Sequence, residues 1–279
     1  MNGSKPGKPA GIGRTRGRGH SRCAVRWSLS PHPGPLPWGE GQGGETARMP
    51  HSRVGHSRNW RTRRILRRSR TFPELNKLNL AGPRVRLRQW NDADLEPFAA
   101  MNADPEVMEF FPQPQTREQS IASLERLKRG IDERGWGLWA VEIEQGVAGF
   151  TGLAKPDFEA HFTPCIEIGW RFRRRFWGRG YAREAAQVAL SFAFERLRLQ
   201  EVVSLTAQLN ERSQRLMQRL GMTHSPRDDF EHPLLPAGHP LRRHVLYRIR
   251  NTPDLLKRLN QELNETADRI VCPGSDSKN

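Results

Sequence analysis

Cysteine is nearly absent from this chain. The three present, Cys23, Cys165 and Cys272, are odd in number and far apart, so there is neither a disulfide framework nor the ligand spacing of a structural metal site. A reducing cytoplasm suits such a chain. Long apolar runs are missing as well: nothing approaches the roughly 18 consecutive apolar residues of a spanning helix, so no membrane insertion is expected. Acidic residues are scarce at one end only. Residues 1–70 hold 16 Lys and Arg against 2 acids, Glu40 and Glu45, which leaves only +2 of the chain's +16 for the rest.

The basic character therefore belongs to a leader, rich in Gly, Pro, Arg and Ser, with SPHPGPLPWGEGQGG in its middle. It has no apolar periodicity and too little apolar surface to offset the entropy of ordering, so residues 1–79 are expected to be disordered. The run Arg61 to Arg70 reads as solvated charge or, as the lesser alternative, as a contact for nucleic acid or another acidic surface. No apolar segment follows the positive charges as in a secretory signal, and the Gly and Pro clusters oppose the amphipathic helix of a transit peptide. A start codon assigned too far upstream accounts equally for this composition, with the product beginning near Met49 or in the seventies.

What is present is organised around Cys165 to Ala193. Ile166, Ile168, Trp170 and Phe172 alternate as in a strand. The chain then crosses Arg173 to Arg175 and turns at Gly178 and Gly180. Beyond them Ala185, Val188, Ala189, Phe192 and Ala193 recur at helical intervals. A strand passing through paired glycines into a helix aims free backbone N–H groups and the positive end of the helix dipole at one point, an arrangement suited to phosphate. No Gly-Lys-Ser/Thr follows the glycines, which excludes a Walker A loop. Arg183 stands where a dinucleotide fingerprint needs a third small residue.

The remaining pattern, Arg175-Phe-Trp-Gly178-Arg-Gly180-Tyr-Ala, resembles the acyl-CoA pyrophosphate loop of the GNAT N-acetyltransferase superfamily. The likeness continues to Asn210-Glu-Arg-Ser213 and Leu220-Gly221-Met222, spans about Arg84 to Arg250, and is nearest in flavour to the branch that includes the ribosomal-protein alanine acetyltransferases. It implies an α+β fold, a mixed and mostly antiparallel sheet with splayed central strands flanked by helices. It also implies acetyl-CoA as co-substrate, an amine acceptor that is a protein N-terminus or a small molecule, no metal, no membrane, and a cytoplasmic monomer or homodimer.

The order of elements agrees with that fold. A strand is expected over Arg84–Trp90, then a helix capped at Asn91-Asp92 that stops at Asp104-Pro105. Thr116-Arg-Glu-Gln119 is a capping box for a helix through Ile131 that Gly135 ends. Strands Gly137–Glu144 and Val147–Leu153 should form a hairpin about Gln145-Gly146. Lys155 to Pro164 reads as a loop. A helix over Ala182–Arg196, a strand over Glu201–Ala207, a helix over Glu211–Leu220 and a last strand over His244–Arg250 complete residues 84–250. Residues 251–279 read as a polar helix, with Leu255, Leu256, Leu259 and Leu263, and a tail that adds little.

By the resemblance, backbone groups near Ile168, Gly169 and Trp170 would pair with the pantetheine arm. The loop around Gly178, Arg179, Gly180, Tyr181 and Ala182 would hold the pyrophosphate, with charge from Arg175 and Arg179. Asn210 would bond the arm beside Ser213, although both are also ordinary helix-cap residues. Glu167 is the candidate general base, its pKa raised by burial against Trp170, or else a carboxylate paired across the sheet. Several family members place a tyrosine seven positions after the asparagine, where Met217 stands here. Asp229 and His232, within Asp228 to His244, would line the acceptor pocket unless that segment is merely a solvated loop. Phe110, Phe111, Trp136 and Trp139 are further candidates for the pocket or the core. Cys165 reads as a small hydrophobe rather than a nucleophile. Two other readings remain open, a non-catalytic acyl-CoA-binding module and a nucleic-acid binder acting through the leader.

Overall fold

A computed structural model describes residues 80–271, so the leader, Cys23 and Cys272 lie outside the described residues. In chain order the elements are β1 (Leu80–Ala81), β2 (Arg86–Arg88), α1 (Leu95–Ala103), α2 (Arg117–Arg134), β3 (Leu138–Ile143), β4 (Gly146–Ala154), β5 (Glu167–Phe172), α3 (Tyr181–Glu195), β6 (Glu201–Ala207), α4 (Glu211–Arg219), β7 (Thr223–His224), β8 (Phe230–Glu231), β9 (Arg243–Arg250) and α5 (Pro253–Val271). The strands form one sheet in the order β1-β2-β3-β4-β5-β6-β9-β7, with β8 against β9. Only the β5–β6 pair is parallel. This is the α+β, mostly antiparallel sheet with flanking helices that the order of elements implied.

Local chemistry explains most boundaries. The Thr116 hydroxyl accepts from the Gln119 N–H while the Gln119 side chain accepts from the Thr116 N–H, so α2 starts on a complete capping box, and Gly135 closes it in the left-handed region. The hairpin differs by one residue from expectation. Its turn is Glu144-Gln145, and Gly146 already pairs with Ile143. The register slips between Val141 and Glu142, leaving Ala148 as the extra residue of a bulge that absorbs the shift. Strands β1 and β8, two residues each, carry no periodicity to read.

Each face of the sheet is buried by different helices. Trp139 meets Phe192 of α3 edge to face, with ring centroids 5.3 Å apart, and Thr151, Leu153, Ile168 and Trp170 share its side by register. On the opposite side Phe150 packs on Phe98 of α1, with Gly152, Ala154, Glu167, Gly169 and Arg171 in the same layer. One large apolar cluster runs through both layers. A smaller one, Phe162, Val203, Phe230 and Leu246, lies under β8.

The segment after residue 250 differs from expectation in importance. Leu255 and Leu259 of α5 are part of the main core, and Arg258 donates to the Leu220 carbonyl at 2.8 Å, satisfying the C-terminal end of α4. Four leucines on one side of an otherwise polar helix look like a solvated element until the groove beside α3 is seen to receive them.

Candidate active site

The site begins where β5 and β6 part. They share one Cα pair, Glu167 with Val203, and the Val203 N–H donates to the Ile166 carbonyl at 3.0 Å. β6 then gives no Cα partner to Gly169–Phe172. In its place the Ser204 hydroxyl donates to the Ile168 carbonyl at 2.9 Å. Alternation decides which backbone groups face the gap. Ile168 and Trp170 turn toward β6. Gly169 turns toward β4, where its carbonyl accepts from the Thr151 hydroxyl at 2.9 Å. Of the three residues expected to meet a pantetheine arm, Gly169 therefore presents its backbone to the neighbouring strand instead.

The gap opens into a cleft of about 820 Å³. At its far end the chain makes a single turn of 3-10 helix, Arg174–Phe176, then passes Gly178 at φ 72° and Gly180 at φ 83° into α3. Both values are left-handed, which L side chains resist. Open space surrounds the missing Cβ of Gly178, and Gly180 as N-cap brings no side-chain acceptor to the first N–H groups of α3. This is a backbone cradle that fits an anion, with Trp177, Gly178, Gly180, Ala182 and Arg183 on the cleft wall. Arg179 and Tyr181 sit behind it. The Arg179 carbonyl accepts from Arg84 Nη1 at 3.0 Å, and Arg84 also lies 4.9 Å from the Tyr181 ring. Arg175 rests on the Phe176 ring at 4.6 Å, off the cleft lining.

Across the gap Asn210 caps α4. Its Oδ1 accepts from the Ser213 N–H at 3.1 Å, and its Nδ2 donates to Thr206 Oγ1 at 3.0 Å. Asn210 and Ser213 both line the cleft.

The acetyltransferase (GNAT) domain family matches residues 84–223. The chain belongs to this family. It is 30% identical over 154 residues to the uncharacterized protein YkkB of Bacillus subtilis, covering 53% of this chain and 87% of that protein. It is 34% identical over 131 residues to the FsC-acetyl coenzyme A-N(2)-transacetylase of Aspergillus fumigatus, covering 44% of this chain and 56% of that protein. Among solved structures, the acetyltransferase of Agrobacterium tumefaciens aligns with TM-score 0.50 and 26% identity over 62% of this chain and 95% of its own. A GNAT-family acetyltransferase of Bacillus anthracis aligns with TM-score 0.52 and 22% identity over 62% and 98%, a likeness of fold. GNAT domains use acetyl-CoA, and the cradle and gap described above fit it.

Within this GNAT domain Glu167 lies on the layer facing α1, lining the cleft. Burial pushes its carboxyl up to about 7. The cause is not Trp170, as expected, because strand alternation puts Trp170 on the other side of β5; a Cβ on Gly169 would stand 3.9 Å from Glu167 Oε1. His232 lines the cleft, 4.7 Å from the Phe158 ring, and burial lowers its pKa to about 4, leaving it neutral at physiological pH. Asp229 does not line it. Its carboxylate is turned inward to His224 at 2.7 Å and Arg243 at 3.7 Å, which engages it in holding β7 and β9 to the turn before β8. Cys165 is half-buried and its thiol is pushed up to about 12, the behaviour of a packed side chain. Met217 is wholly buried, and as a methionine it brings no hydroxyl to that position.

The aromatics divide. Phe110 and Phe111 line the cleft, Trp139 is core, and Trp136 stacks with Arg134 at 5.4 Å. One further wall residue, Arg171, is not among the expected site residues. Arg171 is 4% exposed, lies 4.0 Å from the Phe111 ring centroid and donates from Nη1 to Asn102 Oδ1 at 2.8 Å. A cation flanked by Trp170 and Phe172 in mid-strand was the available clue, hidden by the basic run that follows it.

Proposed function

We propose that this chain is an acetyl-CoA-dependent N-acetyltransferase that moves an acetyl group to a primary amine by direct transfer in a ternary complex, in the cytoplasm and without a covalent acyl-enzyme. One observation carries this reading: the parting of β5 from β6 beside the Gly178–Gly180 cradle, with Glu167 on the acceptor side of the same cleft. Acetyl-CoA supplies the acetyl group as a thioester, already activated toward attack by nitrogen.

The chain's own groups then divide the work. Backbone groups of Ile168 and Trp170 pair with the pantetheine arm as an added strand would, and an N–H there polarises the thioester carbonyl. The amides from Gly178 to Ala182 receive the pyrophosphate, with Arg175 and Arg179 adding charge from behind. Asn210 keeps one Nδ2 hydrogen for the arm. Glu167, with a pKa near neutrality, takes the proton from the incoming ammonium through a water. As the C–N bond forms and the C–S bond breaks, the nitrogen sheds its second proton, which reaches the departing sulfur through water, since Met217 offers none.

The acceptor is an amine, either a protein N-terminus as in the ribosomal-protein alanine acetyltransferase branch or a small molecule. The Aspergillus fumigatus relative is named for acetyl transfer from acetyl-CoA to an N(2) nitrogen, which supports nitrogen as the acceptor atom. Calorimetry with acetyl-CoA, followed by thiol release over a panel of amines, tests the proposal. Saturable binding with amine-dependent release is expected. Binding without release for any amine would leave a regulatory module, and absence of binding would overturn the reading.

A further inference from the structure

Arg171 carries a full charge into the wall of the cleft with no ion-pair partner among the described residues. Nη1 is committed to Asn102, while Nε and Nη2 are buried without any hydrogen-bond partner among the described residues. These two are the donors on one edge of the guanidinium, the edge whose parallel N–H groups match the two oxygens of a carboxylate. Phe111 at 4.0 Å and Phe150 at 5.4 Å flank the plane and exclude water, and burial lowers the pKa to about 9. Of the acids lining the cleft, Glu106 pairs with Arg174, and Glu167 stands four residues away along β5 with no ion pair to Arg171. A buried cation left with two unmade hydrogen bonds is costly, and a ligand that makes them recovers that cost.

We infer that Arg171 docks a carboxylate on the acceptor, so that the substrate is a primary amine that also bears an acid group. Arg171 and Glu167 lie on the same side of β5, four residues apart, about 13 Å between Cα atoms at the usual strand rise. The acid group therefore sits several bonds from the nitrogen, as in an ω-amino acid rather than an α-amino acid. Phe111, which covers the guanidinium and also lines the cleft, is the side chain the acid group meets first and must turn aside for it to reach Nε and Nη2.

The identity of the amine rests on the acetyl-transfer reading; the carboxylate site does not. The test therefore uses two readouts on the full chain, binding followed by calorimetry and the Arg171 Nε–H resonance, and thiol release with acetyl-CoA. The probes are 6-aminohexanoate and hexylamine, which differ only in the acid group. Wild-type protein should bind and acetylate 6-aminohexanoate better by about tenfold or more, the usual effect of hydrogen bonds to a charged group, with the Nε–H resonance shifting only for that probe. Arg171→Met should erase the preference, and Arg171→Lys should keep part of it. Equal binding and equal rates for the two amines in wild-type protein would overturn the inference without any variant, as would a preference that survives Arg171→Met. If 6-aminohexanoate binds through Arg171 but no amine releases thiol, the site stands and the acetyl-transfer reading falls.

Discussion

Arg84 and Glu184 are 100 residues apart and meet with Nε 2.7 Å from Oε2, while Arg84 Nη1 reaches the Arg179 carbonyl at 3.0 Å. The backbone N–H of Arg84 bonds the same carboxylate. One arginine thus ties the start of the sheet to the first turn of α3 and to the loop between Gly178 and Gly180. Glu184 is 2% exposed, and Glu184→Ala leaves two part-buried donors of Arg84 without their acceptor. The expected loss is about 2 kcal/mol in urea unfolding, discounted from a fully buried pair because the Arg84 side chain is a third exposed. A loss below about half a kilocalorie, the range of ordinary surface changes, would show the tie to be incidental.

Glu167 gives a pH test with a definite sign. Its folded pKa, about 7, stands above the ordinary 4.5, so the native state holds the proton more tightly than the unfolded chain. Stability should therefore fall between pH 4.5 and 7 from this group and level off above. Glu167→Gln should match wild type below that window and exceed it above pH 7, by on the order of 3 kcal/mol. Under the proposed mechanism the wild-type rate falls as pH drops through about 7, whereas Glu167→Gln is slower, lacks that limb and binds acetyl-CoA normally. Equal rates for the two proteins at every pH would remove Glu167 from the mechanism. His232, neutral to about pH 4, contributes no such limb.

How much of this was legible depended on how local the determinant is. Thr116 and Gln119, or Gly178 and Gly180, act within four residues of chain, and their roles could be read directly. The alternation of Ile166 to Phe172 revealed a strand but not which side faced which helix, so Glu167 was matched with Trp170 although they point to opposite layers. Asp229 reads in sequence as available for substrate because its partners are set by β9, which pairs β7 with His224 on one side and carries Arg243 opposite β8 on the other. Arg171 was passed over for the converse reason. Its burial under Phe111 and its bond to Asn102 span 60 and 69 residues and leave no periodic trace.

The cradle separates strain from electrostatics. Gly178→Ala adds a methyl where nothing lies within 4 Å, at φ 72°. It should cost about 1 kcal/mol of stability from the left-handed backbone alone. Gly180→Glu, at φ 83° with its new Cβ 3.2 Å from Arg84 Nη2, should cost somewhat more in stability and abolish acetyl-CoA binding, since it puts a carboxylate in the pyrophosphate loop. Calorimetry on both variants distinguishes the two effects. Unchanged affinity in Gly180→Glu would move the nucleotide away from this loop.

The last prediction concerns α5. Leu259 is wholly buried and Leu255 nearly so, whereas Leu256 and Leu263 are only partly covered. Polar ties accompany them: Arg183 pairs with Glu262 at 3.0 Å, beside the Arg258 contact to Leu220. Leu259→Ala should cost about 3 kcal/mol, the usual size for a buried leucine whose site cannot collapse, and Leu263→Ala less than half of that. Because α5 rests on α3, whose first turn forms the cradle, loss of the Leu259 contact should also weaken acetyl-CoA binding before the domain unfolds. A cost under about 1 kcal/mol at Leu259, the size of a surface substitution, would mean that the helix is undocked in solution and that the domain ends at β9.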